Sequence, residues 1–141
     1  RFTMRKIEEK MNKAIRSREN FKLDNTEVWI SSGGVAHVYL HNNLIASFTP
    51  TDMTFYSDCV SCGTWKTRTT KSRLNAMLSE FHNELRIFQR KGEWYVNTPY
   101  GWIAWDSHSL RVSNYPSAGR TLHYYDTQAG RYFFQNISTA A

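Results

Sequence analysis

The sequence predicts an α+β protein in which two helices are set among antiparallel strands. Apolar residues recur at helical spacing in two segments of the 141-residue chain, one N-terminal and one central. The remainder alternates short apolar runs with Gly, Asn, Asp and Pro turns, the pattern of β-meanders. Aromatic residues make up 15% of the chain and charged residues 21%, which indicates a folded protein, not a disordered tail.

The first helix is predicted from Met4 to about Arg18. Its narrow apolar seam consists of Met4, Ile7, Met11, Ala14 and Ile15. This seam either packs on the protein's own sheet or pairs with a second copy as a short coiled coil, which would give a homodimer. We expect one domain over 4–137, with a natural start at Met4, residues 1–3 as an expression remnant and 138–141 as a frayed tail.

Antiparallel strands are predicted on both sides of a central helix, which is expected from about Thr70 to His82. The first meander has four strands, at 27–30, 35–40, 44–48 and 53–56. A second meander follows the central helix, at 85–89, 93–98, 102–105 and 110–113, and a C-terminal hairpin joins 122–125 to 131–134. Segments 38–58 and 94–114 share the same order of apolar strands and polar turns. This indicates either two related meanders or a coincidence, since β-meanders in general have this pattern.

A basic segment leads into the central helix. Residues 64–73 hold four cations, five hydroxyls and no acid, and Thr69 or Thr70 is the expected N-cap. A helix N-terminus carries partial positive charge and normally favours acids. The cations therefore either face solvent as ordinary surface charge or hold an anion such as phosphate. The candidate contacts to nucleic acid or another anion are Lys66, Arg68, Thr69, Thr70, Lys71 and Arg73.

The surplus of aromatic side chains predicts a second binding surface. Trp102 and Trp105 are an odd number of positions apart, so a regular strand cannot point both into one core. The adjacent pairs Tyr124–Tyr125 and Phe133–Phe134 raise the same difficulty. The alternative is that most of these rings are core. The candidates for base stacking or for contact with a partner are Trp65, Tyr100, Trp102 and Trp105.

Motifs of catalysis and cofactor binding are absent from the sequence. It contains no G-x-S-x-G, P-loop or H-E-x-x-H motif, so we expect no enzyme activity and no cofactor. Cys59 and Cys62 form a C-x-x-C-G turn resembling half a zinc knuckle, but a structural zinc needs four ligands and the chain has two Cys. No apolar run approaches the roughly 20 residues that span a bilayer, and no signal-peptide pattern is present.

Three segments carry a family resemblance: N-T-E-V from Asn25, V-Y-L-H-N-N-L-I-A from Val38, and T-T-K-S-R-L-N-A-M-L from Thr69. They resemble a group of small, uncharacterised bacteriophage proteins that share a T-T-K-S-R-L-N-A-x-L helix start. The resemblance covers roughly residues 4–82 well and the rest weakly. It implies a phage product acting in the host bacterial cytoplasm, and it implies no mechanism. The two cysteines are not part of the shared pattern.

The uneven charge predicts an anionic partner. The net charge is +6, and residues 1–22 carry eight Lys and Arg against three Glu, while residues 23–65 have four acids and no Lys or Arg. The basic parts either bind an anionic partner such as nucleic acid, or dock on the acidic part of the sheet in the same chain or in a second copy. We expect nucleic-acid binding through the basic segment. The alternatives are capture of a host protein by the aromatic side chains and sequestration of a small phosphorylated ligand.

Overall fold

The computed structural model describes residues 3–56, 67–105, 109–115, 119–126 and 130–137. Within these ranges one helix precedes five strands and a second helix precedes six, all in antiparallel sheets, which confirms the predicted α+β class. The elements are α1 (Lys6–Ser17), β1 (Phe21–Leu23), β2 (Thr26–Ile30), β3 (Ala36–Leu40), β4 (Asn43–Phe48), β5 (Asp52–Phe55), α2 (Arg68–Phe81), β6 (Arg86–Arg90), β7 (Glu93–Thr98), β8 (Gly101–Ala104), β9 (Leu110–Tyr115), β10 (Gly119–Asp126) and β11 (Arg131–Asn136).

The strands form two antiparallel sheets. The larger has eight strands in the order β1-β2-β3-β4-β5-β9-β10-β11, and the smaller has three in the order β6-β7-β8. The predicted second meander is therefore divided, because β9 pairs with β5 and not with β8. Leu110 lies opposite Phe55 and extends a buried apolar row that begins on β2. Burial of that row in a common core explains why β9 joins the larger sheet.

The apolar seam of α1 is buried within the chain. Met11 and Ile15 are fully buried in the same core cluster as the strand residues Val28 and Val38. The seam therefore packs on the protein's own core, which was one of its two predicted uses. Met4 and Ile7 at the start of the seam are half-buried, and homodimerisation through the seam, the other use, stays a prediction.

The central helix begins two residues earlier than an N-cap at Thr69 would give, and three earlier than one at Thr70. Its N-cap is Thr67, whose hydroxyl accepts the N–H of Thr70 at 3.1 Å. Thr69 and Thr70 are consequently inside the first turn. Any of the nearby threonines has the hydroxyl that capping requires, so sequence alone did not distinguish them.

Asn75 joins α2 to the smaller sheet. Its side-chain amide donates to the carbonyl of Ile87 and accepts the N–H of the same residue, both at 2.8 Å. This buried amide thereby satisfies both backbone groups of Ile87 on β6, as a neighbouring strand would. It fixes the position of the three-stranded sheet relative to the helix.

Candidate functional site

The structure divides the predicted basic segment into exposed and buried side chains. Arg68 is exposed, Thr69 and Lys71 are half-buried, and Thr70 is buried with its hydroxyl 3.0 Å from that of Thr67. Lys66 and Trp65 lie outside the described residues. The segment therefore does not present all its predicted contacts to solvent.

Arg73 is an interior residue, which corrects its prediction as a surface contact. It is 3% exposed, and its guanidinium donates to Glu8 Oε2 at 2.7 Å and to Thr26 Oγ1 at 3.0 Å. Glu8 is fully buried and also accepts the hydroxyl of Ser72 at 2.6 Å. An anion does sit beside the basic helix start, as the charge pattern suggested, but for Arg73 it is a carboxylate of the same chain.

Three polar contacts show that α1 and α2 lie side by side and run parallel. Glu8 contacts Ser72, the Asn12 side chain donates to the carbonyl of Ala76 at 3.0 Å, and Arg16 pairs with Glu80. Each contact joins residues 64 positions apart, and successive contacts are one helical turn further along both helices. Only a parallel pair in constant register gives this pattern.

The parallel arrangement brings two basic helix N-termini to the same end of the molecule. We call Arg5, Lys6, Arg68 and Lys71 the basic helix end. Arg5 is the N-cap of α1 and is exposed together with Lys6, while Arg68 opens α2. Both helix dipoles point their positive ends here. The acid nearest the centre of this end, Glu8, is buried and already engaged by Arg73.

The outward side of α1 extends the positive surface. Lys10 and Lys13 are exposed, Arg16 is exposed but paired with Glu80, and Glu9 is the exposed acid of this helix. Cations on one helix side and at one end of a helix pair can contact successive phosphates of a polyanion. The geometry is thus suited to binding an extended anion.

The predicted aromatic candidates also separate by burial. Trp105 is 3% exposed and lies in the core, with its ring 6.3 Å from those of Phe55 and Trp94. Trp102 is 54% exposed and Tyr100 is 66% exposed. The prediction that Trp102 and Trp105 cannot both face inward is confirmed, and Trp105 is corrected from a surface candidate to a core residue.

Trp102 belongs to a cluster of three rings on the outer side of the smaller sheet. We call Phe88, Tyr95 and Trp102 the aromatic face. Phe88 stacks on Tyr95 with ring centroids 5.5 Å apart, and Trp102 meets Phe88 edge-on at 4.9 Å. The opposite side of the same strands carries the buried Ile87, Trp94 and Val96. The inner side therefore anchors the sheet while the outer side meets solvent.

Cationic side chains adjoin the aromatic face. The guanidinium carbon of Arg90 lies 5.3 Å from the Trp102 ring centroid, a cation–π contact. Arg86 is exposed on the same side of β6, opposite Asn97, which in turn lies opposite Trp102. Sequence reasoning missed Phe88, Tyr95, Arg86 and Arg90 as a group. Their alternation along β6 and β7 with buried Ile87, Trp94 and Val96 is the signal that would have found them.

The outer face of the larger sheet carries a row of polar and aromatic side chains in register. Trp29 lies opposite His37 and the two rings stack at 5.4 Å, and further along the row His123 lies opposite Phe134. Burial lowers the pKa of His123, and Arg111 adds to the effect, so the neutral ring is favoured there. This row is more neutral than the basic helix end.

His82 lies in a buried polar cluster at the end of α2. Burial lowers its pKa to about 4, with the Arg120 guanidinium as a further cause and Glu84 opposing both. Arg120 pairs with Glu84 at 2.6 Å, and His82 Nδ1 is 3.7 Å from the other Glu84 oxygen. A shallow cavity of about 210 Å³ adjoins His82 and Arg120. Arg120 is paired with Glu84 in this cluster, so the cluster offers less net charge to a ligand than the basic helix end.

The described residues contain no cluster of three His, Cys, Asp or Glu side chains able to hold a metal ion. Cys59 and Cys62, the weak zinc candidates, lie outside the described residues. Within the same described ranges, neither helix has the length and apolar character needed to cross a bilayer.

These features define a class: a small α+β protein with a parallel helix pair on an extended antiparallel sheet and a separate three-stranded sheet. A protein-family model described as Kyanoviridae Gp96 protein matches residues 4–122, and the chain belongs to this phage protein family. The expected phage origin is thereby confirmed. That the T-T-K-S-R-L-N-A-x-L helix start marks the family stays a prediction. Neither a curated protein nor a solved structure shows a significant match.

Proposed function

We propose that this phage protein is non-enzymatic and binds nucleic acid through the basic helix end, in the cytoplasm of the host bacterium. One observation carries the proposal. Parallel packing of α1 and α2 brings the four cations of the basic helix end together. Glu8, the acid between the two helices, is already paired with Arg73. Two helix N-termini and four cations form a surface that favours phosphate.

The proposed contacts differ from the predicted set in a defined way. Arg73 and Thr70 are excluded from the proposed contacts because both are buried. Arg5 and Lys6, which are far away in sequence, take their place because α1 begins beside α2. Thr69 stays a predicted contact because it follows the exposed Arg68 and is itself half-buried. Lys66 stays a predicted contact on the strength of the sequence.

Phosphate contacts of this kind make a quantitative prediction about salt. Each neutralised phosphate lowers the slope of log K against log salt concentration by about 0.9 for duplex DNA and about 0.7 for single strands. Contacts from four cations therefore give a slope of roughly −3 to −4. Binding is expected to be strongest at low salt and to weaken steeply as salt is added.

The test measures oligonucleotide binding by fluorescence anisotropy at several salt concentrations. Arg68→Ala/Lys71→Ala is expected to weaken binding and to make the slope shallower by about 2, one unit for each lost phosphate contact. The matched control is Lys22→Ala/Arg131→Ala, which removes two exposed cations at opposite edges of the larger sheet. Binding that is unmeasurable at low salt, or equally affected by both double variants, would refute the proposal.

Capture of a host protein is the second candidate, favoured by a different observation. Tyr132 and Phe134 on β11 are 74% and 76% exposed, and β11 is an edge of the larger sheet. Exposed aromatic side chains often anchor protein interfaces. The test is a pull-down from nuclease-treated bacterial lysate, comparing the wild type with Phe134→Ser. A stoichiometric partner lost in the variant would favour this candidate over nucleic-acid binding.

Sequestration of a small phosphorylated ligand is a less favoured reading of the same basic helix end. A ligand that binds only the folded state raises the melting temperature. Nucleotides are the probe, and a melting temperature unchanged by millimolar nucleotide would rule this reading out.

A further inference from the structure

We propose that the aromatic face binds single-stranded nucleic acid by stacking on its bases. This inference rests on the proposed function and deepens it, because it names the form of nucleic acid that the protein takes. In this arrangement the basic helix end contacts phosphates, and the separate aromatic face of Phe88, Tyr95 and Trp102 contacts unpaired bases.

The three rings form one preorganised surface. Each ring contacts both others, with centroid separations of 5.5 Å for Phe88–Tyr95, 4.9 Å for Phe88–Trp102 and 6.0 Å for Tyr95–Trp102. Three hydrogen-bonded strands hold them, so little side-chain freedom is lost when a base is added. Trp102 is the most exposed of the three at 54%, and it offers ring surface directly to solvent.

Charge complementarity selects a nucleic acid as the occupant. Arg90 lies over Trp102 and opposite the exposed Glu93. Arg86 is exposed on the same side of β6 and Lys91 in the turn that follows, so three cations and one acid border the rings. Lys91 and Gly92 both have positive φ, at 52° and 81°, the geometry of a tight hairpin turn that fixes where Lys91 stands. Rings bordered by cations match a ligand that alternates flat bases with phosphates.

The same geometry favours a single strand over a duplex. Bases within a duplex already stack on one another, and only unpaired bases have a ring face available to Trp102. The three rings project from the surface of the sheet, and the Arg90 guanidinium already lies over the Trp102 ring. A planar base can replace or extend that contact without any rearrangement of the strands.

The test compares single-stranded and duplex DNA of the same mixed sequence, about 16 nucleotides long, by fluorescence anisotropy with wild type and three variants. Trp102→Ala is expected to weaken single-strand binding about five-fold or more, and Trp102→Phe to restore most of the loss because it keeps a ring. Trp29→Ala is the matched control, since Trp29 is 46% exposed but lies on the other sheet. Duplex affinity is expected to be unchanged in all three.

Different failures separate this inference from the proposed function. If Trp102→Ala binds the single strand as tightly as the wild type while Arg68→Ala/Lys71→Ala does not, the inference is overturned and the proposed function stands. If wild type binds neither oligonucleotide, both are overturned. Equal losses on single strand and duplex would also overturn the inference. If Trp102→Ala lowers the melting temperature, Arg90→Gln tests the same face with all three rings in place. Single-strand affinity of Arg90→Gln equal to that of the wild type would then overturn the inference.

Discussion

Replacing Glu8 by Gln is expected to lower the free energy of unfolding by about 3 kcal/mol. The carboxylate is fully buried, accepts from the backbone of Arg5 at 2.9 Å and from Ser72, and faces the buried Arg73 guanidinium at 2.7 Å. Removing one partner of a buried ion pair typically costs about 3–5 kcal/mol, because the other charge is left uncompensated. Gln keeps the size and one acceptor of Glu, so the low end of that range applies.

The assay is urea unfolding followed by circular dichroism, with a double-mutant cycle. Glu8→Gln, Arg73→Met and the double variant are compared with Glu9→Gln, the adjacent exposed acid, which is expected to stay within about 0.5 kcal/mol of wild type. The double variant is expected to be more stable than the two single losses would sum to, because no lone charge stays buried. A Glu8→Gln variant within about 1 kcal/mol of wild type would refute the reasoning.

Two further changes are expected to affect stability. Asn75→Ala leaves both backbone groups of Ile87 unpaired and is expected to cost about 2–6 kcal/mol, at about 1–3 kcal/mol for each buried group. Thermal unfolding measures this loss, and a loss no larger than that of the exposed Asn97→Ala would contradict the expectation. His82 has its pKa lowered to about 4. The unfolded chain therefore takes up this proton near pH 6.5 and the folded chain only near 4, so stability is lost as pH falls through this window. His82→Gln is expected to flatten the decline in urea midpoint between these values, and an identical decline in wild type and variant would contradict it.

The helices and most strands could be predicted because their signals are local. The spacing of Met11 and Ile15 and the turn residues between strands act within a few positions of the chain. The division of the second meander could not be predicted this way, since it depends on Leu110 finding Phe55 across the larger sheet. Short apolar strands carry little information about which neighbour they pair with.

The candidate site was predicted in part, and its errors have a physical explanation. The sequence shows that the basic segment is positively charged, but charge alone does not tell which cations point inward. Helical spacing does identify the inward-pointing cation. Arg73 is four positions before Met77 and three after Thr70, and both Met77 and Thr70 are buried. Glu8 likewise lies three positions before Met11. Reading charged residues on the same helical pattern as apolar ones would have identified the buried pair, whereas the contribution of Arg5 and Lys6 required the helix packing itself.

The pairing of β5 with β9 has a consequence for how the chain is made. Fifty-five positions separate Phe55 from its partner Leu110, and a ribosome adding about 5–20 residues per second needs roughly 3–11 s to cover them. During this interval the newly made first meander carries β5 as an unpaired edge, which can recruit strands from other chains. The period of greatest risk of aggregation therefore falls during synthesis, before β9 emerges, and slowing translation over this stretch is expected to lower the soluble yield.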